Sequence, residues 1–355
     1  MPSLSFTLQN ESLGFVEALH LRFPAAQQDA VLDLSVWASR ALHPQAWEPL
    51  RCRVERSPEG WVARLSRPEN FHQFRVEVHH QGPVQPEALL QTLQPTPLER
   101  LKPQLQGKHI VFLGCARQCA AQVDPSIDRV AELGALFGRW QLLVFENDST
   151  DGTPERVAAR AASLPIELLQ QPGLAAALPQ RTLRLALARN RLLDRALALQ
   201  PDYICWLDMD GLAGPGQPST ESFLSNFQLE PCWDAVFPVN AGPYYDIWAL
   251  RHPVLCDYDF MQQGAVMDAA LGLPLARHFA ASHLQVDWRQ LQGWLPVDSA
   301  FGGMGLYKAA ALEGARYNGW AEGREICEHV PFHAALRAAG HRLYLNPQFV
   351  VASHG

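Results

Sequence analysis

From residue 108 onward, short apolar runs alternate with stretches of helical periodicity, and that alternation leaves few architectures open. Residues 109–113 form an apolar run closed by Gly114. Asp124 and Pro125 then open a segment in which Ile127, Val130, Leu133 and Phe137 recur at the spacing of one helix face. The next run, 141–145, ends in the polar stretch 146–153, after which Pro154 stands where proline suits the first position of a helix. A strand over 166–169 precedes a helix marked by Leu183, Leu187, Asn190, Leu193 and Leu197, which feeds into the run Tyr203, Ile204, Cys205, Trp206, Leu207. Strand, loop and helix in that order make βαβ units, whose crossovers require a parallel sheet covered by helices. At roughly 250 residues, 108–355 is a comfortable size for one such domain.

The first 95 residues have a different pattern. Residues 51–55 alternate in polarity, Ser57, Pro58, Glu59 and Gly60 make a turn, and 61–65 alternate again, which predicts a β-hairpin. Residues 74–78 predict a third strand. The expectation is a small β-rich domain over 1–95, a linker over 96–107 marked by Pro97 and Pro103, and an α/β domain over 108–355. With 48% hydrophobic and 18% charged residues the composition is that of an ordinary globular protein, and no apolar stretch is long enough to span a membrane. The net charge of -7 gives no general reason to expect nucleic-acid binding, since a phosphate backbone needs concentrated Lys and Arg, and only local basic clusters could serve phosphates. The start, Met1 to Ser5, lacks the basic and apolar segments of a secretory signal, so the chain is expected in the cytoplasm. Its seven cysteines form no zinc-like double pair and read as reduced thiols.

Chemistry concentrates where the run from Tyr203 ends, in Asp208-Met209-Asp210-Gly211. Ligands bind beyond the carboxyl ends of the strands in open α/β sheets. Two carboxylates one residue apart can there share Mn²⁺ or Mg²⁺ with a substrate's phosphates. This pair belongs to a series of four ordered stretches: Phe145-Glu146-Asn147-Asp148-Ser149-Thr150-Asp151-Gly152-Thr153, Leu185-Ala186-Leu187-Ala188-Arg189-Asn190, Leu207-Asp208-Met209-Asp210, and Tyr244-Tyr245-Asp246-Ile247-Trp248-Ala249-Leu250-Arg251. Together they resemble nucleotide-sugar transferases of the GT-A fold, and most nearly the fungal capsule-associated alpha-mannosyltransferase family.

That resemblance implies a Rossmann-like, mostly parallel sheet with flanking helices, and a hexosyltransferase using a GDP- or UDP-sugar donor and a carbohydrate or other hydroxyl acceptor. It implies Asp208 and Asp210 as metal ligands with His354 as a third, and Glu146, Asp148, Arg189, Asn190 and Asp208 around the nucleotide. The catalytic candidates are Asp246, Asp298, Glu328 and His329. Each has a plain structural alternative. Asp151 or Thr153 can simply cap the helix after Gly152, the arginines from Arg181 to Arg195 can form a solvated face, and the glycines 302, 303 and 305 can serve a tight turn. In Cys327-Glu328-His329 the second position, where inverting transferases carry an acidic base, holds histidine. This departure fits transfer with retention, while the near-neutral pKa of an ordinary imidazole keeps a base role open for His329.

Two further readings stay open. A sugar nucleotidyltransferase shares such a sheet, but needs a glycine- and basic-rich loop after its first strand, and Gly114-Cys115-Ala116-Arg117-Gln118 is a poor version of it. A carbohydrate-binding protein of the same fold would dispense with the Asp208 and Asp210 pair. A dinucleotide dehydrogenase is disfavoured by the lack of G-x-G-x-x-G after the first strand.

Overall fold

The structure, a computed structural model, describes residues 2–11, 14–40, 46–210 and 217–352, which form two compact units. The first comprises Met1–Pro95 with Leu229–Cys232. It contains strands β1 (Ser3–Gln9), β2 (Val16–Arg22), β3 (Val31–Ser39), β4 (Glu48–Pro49), β5 (Cys52–Ser57), β6 (Gly60–Glu69), β7 (Gln73–His80) and β8 (Glu87–Thr92). They make two four-stranded antiparallel sheets, ordered β1-β7-β3-β4 and β5-β6-β2-β8. Both contribute to one core: Leu19 and Leu21 of β2, Val36 of β3 and Phe74, Val76 and Val78 of β7 are buried together. The alternation in β7 puts every second side chain into that core, as half-buried antiparallel strands require.

The hairpin expected at 51–65 is β5 and β6. The expected third strand, β7, does not extend that hairpin: it lies between β1 and β3 in the other sheet. Trp37 and Trp47 both carry the Arg75 guanidinium over their rings, at 4.8 and 5.3 Å from the centroids.

The second unit, Thr96–Gln228 with Trp233–Gly355, begins earlier than the sequence suggests. The expected linker over 96–107 is instead helix α1 (Leu98–Leu105), which buries Leu101 and Leu105. Pro103 enters the interior of this short helix, and its presence disguised the amphipathic spacing. Then follow β9 (His109–Ala116), α2 (Val123–Gly134), β10 (Arg139–Glu146), α3 (Thr153–Ala161), β11 (Ile166–Gln170), α4 (Leu174–Ala177), α5 (Arg181–Leu197), β12 (Tyr203–Asp208), α6 (Thr220–Leu224) and β13 (Ala235–Asn240). The rest is α7 (Phe260–Leu271), α8 (Leu273–Ala280), β14 (Leu295–Pro296), β15 (Met304–Lys308), the two-residue ribbon β16 (Trp320–Ala321) and β17 (Arg324–Glu325), α9 (His329–Ala338) and β18 (Leu343–Val351). Among the described residues, no helix is long and apolar enough to cross a membrane.

The unit is α/β, with one eight-stranded sheet in the order β11-β10-β9-β12-β15-β13-β18-β14. Four pairings are parallel, β11 with β10, β10 with β9, β9 with β12 and β13 with β18, while β15 and β14 run antiparallel to their neighbours. Residues 110–113 of β9 and 204–206 of β12 are fully buried, the all-apolar signature of strands covered on both faces. Strand β18 is continuous over its nine residues. Its register against β13 shifts between Phe237 and Val239, and buried Asn346, bonded to Ser225 and Asn226, spans the polar interruption.

This order places the site. The chain builds outward from β9 through β10 to β11, then returns along α5 to lay β12 on the other side of β9. The reversal opens a crevice between the carboxyl ends of β9 and β12, where Cys115 pairs with Asp208.

Candidate active site

A cavity of about 540 Å³ opens at that crevice. Asp208 ends β12 and Asp210 follows on the exposed side of the turn. After Asp208 the strand meets residues 301–303: the Asp208 amide donates to the Gly303 carbonyl at 2.9 Å. Gly302 and Gly303 have φ of +66° and +93°, a left-handed path that glycine adopts without strain. That path turns the Gly302 amide onto the Asp246 carboxylate at 3.0 Å, and the Ala249 amide donates to its other oxygen at 3.3 Å.

Opposite the acidic pair lies a buried ion pair. Arg189 points inward from the middle of α5 and donates from Nε to Glu328 Oε1 at 3.1 Å, each side chain being 5% exposed. Its other end lies 3.8 Å from Asp208 Oδ1. The guanidinium rests against Trp206 and Phe301, with ring centroids 5.1 and 5.0 Å away, so both its charge and its faces are accommodated.

Asp208, Asp210, Asp246 and Glu328 all line this cavity, with Arg189 between Asp208 and Glu328 and with Arg117, Arg181 and Arg184 also on its wall. Burial pushes the Asp208 carboxyl up to about 7; Arg189 opposes the rise, and Asp210, Asp246 and Glu328 add to it. Asp246 is likewise raised, by burial first, although the Gly302 and Ala249 amides counter this. A carboxyl whose pKa is raised first by burial and then by neighbouring carboxylates is one whose ionised form a hard cation would stabilise. The described residues include no group of three or more His, Cys, Asp or Glu able to hold a metal ion. Asp208 and Asp210 supply two carboxylates at the cavity, the hard oxygen donors that Mg²⁺ or Mn²⁺ takes together with water and phosphate oxygens. His354 lies outside the described residues.

Of the catalytic candidates, Asp246, Glu328 and His329 line the cavity and Asp298 does not. Asp298 is instead 40% exposed and paired with Arg337 of α9 at 2.9 Å. His329 differs from an ordinary base. It is 3% exposed and stacked on Phe301 at 4.0 Å, and burial, with Arg189 and His333 nearby, holds its pKa well below the usual value. The imidazole is neutral, and its ionised form is strongly disfavoured.

The nucleotide candidates divide similarly. Arg189 and Asp208 are in the cavity; Glu146, Asp148 and Asn190 serve the scaffold. Glu146 is buried and accepts the Ser149 amide at 2.8 Å, closing the turn after β10. Asp148, at φ +57°, accepts from Asn147 Nδ2 at 2.9 Å and from the amides of Ala175 and Gly173, an arrangement that holds the start of α4 and keeps its pKa below the carboxylate norm. Asn190 exchanges two hydrogen bonds with the Tyr317 backbone, at 2.9 and 2.8 Å. Asp151 bonds the Ala120 amide at 2.9 Å and Thr153 Oγ1 at 2.7 Å, also a structural role. Sequence reasoning did not single out Phe301, Arg117 or Tyr245 as cavity residues. The position of Arg117 directly after the first strand of a parallel sheet was the available signal.

No family model and no curated protein matches the sequence. Solved structures do. A mannosyltransferase from Pyrobaculum calidifontis, solved with GDP-Man and Mn²⁺, is 16% identical with a TM-score of 0.41, over 72% of this chain and 63% of that one. TarS 1-349 from S. aureus is 12% identical with a TM-score of 0.39, over 69% and 59% respectively. Glucosyl-3-phosphoglycerate synthase from M. tuberculosis is 15% identical with a TM-score of 0.39, over 74% and 78%. The chain thus spans less than two thirds of the first two of these proteins. None of the three is described as a fungal capsule-associated enzyme.

Proposed function

We propose that the chain is a metal-dependent glycosyltransferase that moves a hexose from a nucleoside-diphosphate sugar to a hydroxyl acceptor, with retention at the anomeric carbon. The observation that carries the reading is the placement of Asp208 and Asp210 at the carboxyl end of β12, opening into the cavity at the sheet's switch point. A divalent cation bound there supplies charge that offsets the growing negative charge on a departing diphosphate. Arg189 holds Asp208 in place from behind, braced by Glu328. Asp246 and Glu328 have acceptor oxygens for sugar hydroxyls. Tyr245, Trp248 and Phe301 supply the apolar wall that limits water at the reacting carbon.

Retention is supported by the commitments of the acidic groups. Inversion needs a base on the face opposite the leaving group. Glu328 is tied to Arg189, Asp246 to two backbone amides, and Asp298 lies off the cavity. His329 is neutral but disfavours taking a proton. In a retaining reaction the departing phosphate oxygen takes the acceptor's proton on the same face. Mannose from GDP-mannose is the donor the sequence resemblance favours.

The test is Asp210→Ala. Asp210 is exposed, so the variant should fold as the parent does while losing Mn²⁺-dependent binding of sugar nucleotides in a thermal-shift panel of GDP, UDP and dTDP sugars. Undiminished metal-dependent binding would remove the assignment, and a β-linked product from an alpha-linked donor, read by NMR, would remove retention.

A further inference from the structure

We propose that His329 is a specificity residue that reads a hydroxyl of the transferred sugar through a neutral imidazole; the inference rests on the transferase reading above. His329 is the first residue of α9 and lines the cavity. It is 3% exposed, yet neither Nδ1 nor Nε2 has a hydrogen-bond partner in the protein. Its nearest anionic atom, Glu328 Oε1, is 3.9 Å from Nε2, beyond hydrogen-bond reach.

The adjacent buried imidazole makes the contrast. His333, one turn along α9, is satisfied at both nitrogens, by Ser299 Oγ at 2.9 Å and Tyr307 OH at 2.8 Å. Buried polar groups are normally paired, and an exception at a cavity wall is a group awaiting a partner from the cavity. The orientation of that group is fixed in advance. Phe301 stacks on it at 4.0 Å and 22°, His333 at 5.6 Å and 24°, and Tyr317 closes its edge at 5.7 Å and 82°.

The chemistry of the partner follows from the inventory of a neutral imidazole, which has one N–H donor and one lone-pair acceptor. A phosphate or carboxylate accepts only and an ammonium donates only. A hydroxyl satisfies either nitrogen, and a polyol can satisfy both. Beside it, Glu328 and Arg189 add an acceptor and donors on the same wall. A phosphate would satisfy the ring's N–H and leave its acceptor nitrogen unpaired, whereas a polyol pairs both; His329 is therefore assigned to the sugar, acting on substrate choice without accepting a proton.

The test uses the full chain with Mn²⁺ and calorimetric titration of GDP, GDP-mannose, UDP, UDP-glucose, dTDP and dTDP-glucose. His329→Phe keeps the ring stack and removes both nitrogens; His329→Gln restores a donor and an acceptor. The free nucleotide should bind alike to all three proteins, while the sugar nucleotide should weaken by about 10-fold in His329→Phe and recover in part in His329→Gln. Equal weakening of nucleotide and sugar nucleotide, or none, would overturn the role of His329 and leave the transferase reading standing. Absence of metal-dependent binding for every probe would overturn both. Should His329→Phe not fold, ring-nitrogen NMR of the parent decides: the His329 resonances should move with the sugar nucleotide and not with its free nucleotide, and unmoved resonances refute the proposal.

Discussion

Removing the Glu328 carboxylate isolates the charge of Arg189. In Glu328→Ala the Arg189 side chain, 5% exposed in the parent, loses its 3.1 Å partner and keeps Asp208 at 3.8 Å as its remaining carboxylate. Breaking a buried ion pair from one side costs about 3–5 kcal/mol, because the remaining charge is neither solvated nor paired. With Asp208 still near, and two aromatic faces against the cation, the low end applies: about 3 kcal/mol, or roughly a 150-fold change in the folding equilibrium. In a unit of this size that lowers Tm by about 6–12 °C. Urea unfolding of the parent, Glu328→Ala and the double variant Arg189→Met/Glu328→Leu measures it. The double variant, with no buried charge at either position, should regain most of the loss. The exposed pair Arg195 and Glu167, at 2.8 Å and 42% and 38% exposed, is the internal control: Glu167→Ala should cost under about 1 kcal/mol. If Glu328→Ala costs no more than Glu167→Ala, the pair is not dry and the reasoning fails.

The buried imidazoles predict acid sensitivity. Burial, with Arg189 nearby, lowers the His333 pKa to about 3, below its unfolded value, so between about pH 6.5 and 3 the unfolded chain binds the extra proton and stability falls as pH falls. His329 acts in the same direction, and His333→Gln should flatten the slope of unfolding free energy against pH in that window. Gly302→Ala should cost about 1–2 kcal/mol, since its φ of +66° is strained for any side chain and the added methyl would meet the Pro238 carbonyl at 3.2 Å; an unchanged urea midpoint would contradict this. A chain beginning at Lys102 deletes Leu101 from α1, so it should be recovered in lower soluble yield than one beginning at Thr96, which keeps the helix whole. Equal yields and melting points would show α1 to be dispensable.

What could be read from the chain alone was what depends on neighbours in sequence. The apolar runs at 109–113, 141–145, 166–169 and 203–207 announced β9, β10, β11 and β12; in β9 and β12 polar alternation is missing because both faces are buried, whereas β11 at the sheet's edge is only half-buried, and Pro154 announced the start of α3. Asp208 and Asp210 were legible because a polar pair interrupting a buried strand marks its end, and the end of a parallel strand faces the crevice. Three-residue spacing could not say that Arg189 turns inward while Arg195 pairs at the surface with Glu167, since both sit on one helix and only the packing of Trp206, Phe301 and Glu328 separates them. Nor could it separate carboxylates that hold loops from those that face the cavity. Asp148 and Asp246 look alike in sequence, but the first is closed by the amides of Gly173 and Ala175, while the second lines the cavity beside Gly302. Local pattern determines which elements form, because backbone geometry and burial period act over a few residues. Which side chains meet, how far each charge is from water, and that His329 alone of two stacked imidazoles is left without partners depend on tertiary contacts, from the 26 and 34 residues that separate His333 from Tyr307 and Ser299 to the 139 between Arg189 and Glu328, and these exist only once β12, β15, α5 and α9 have packed together.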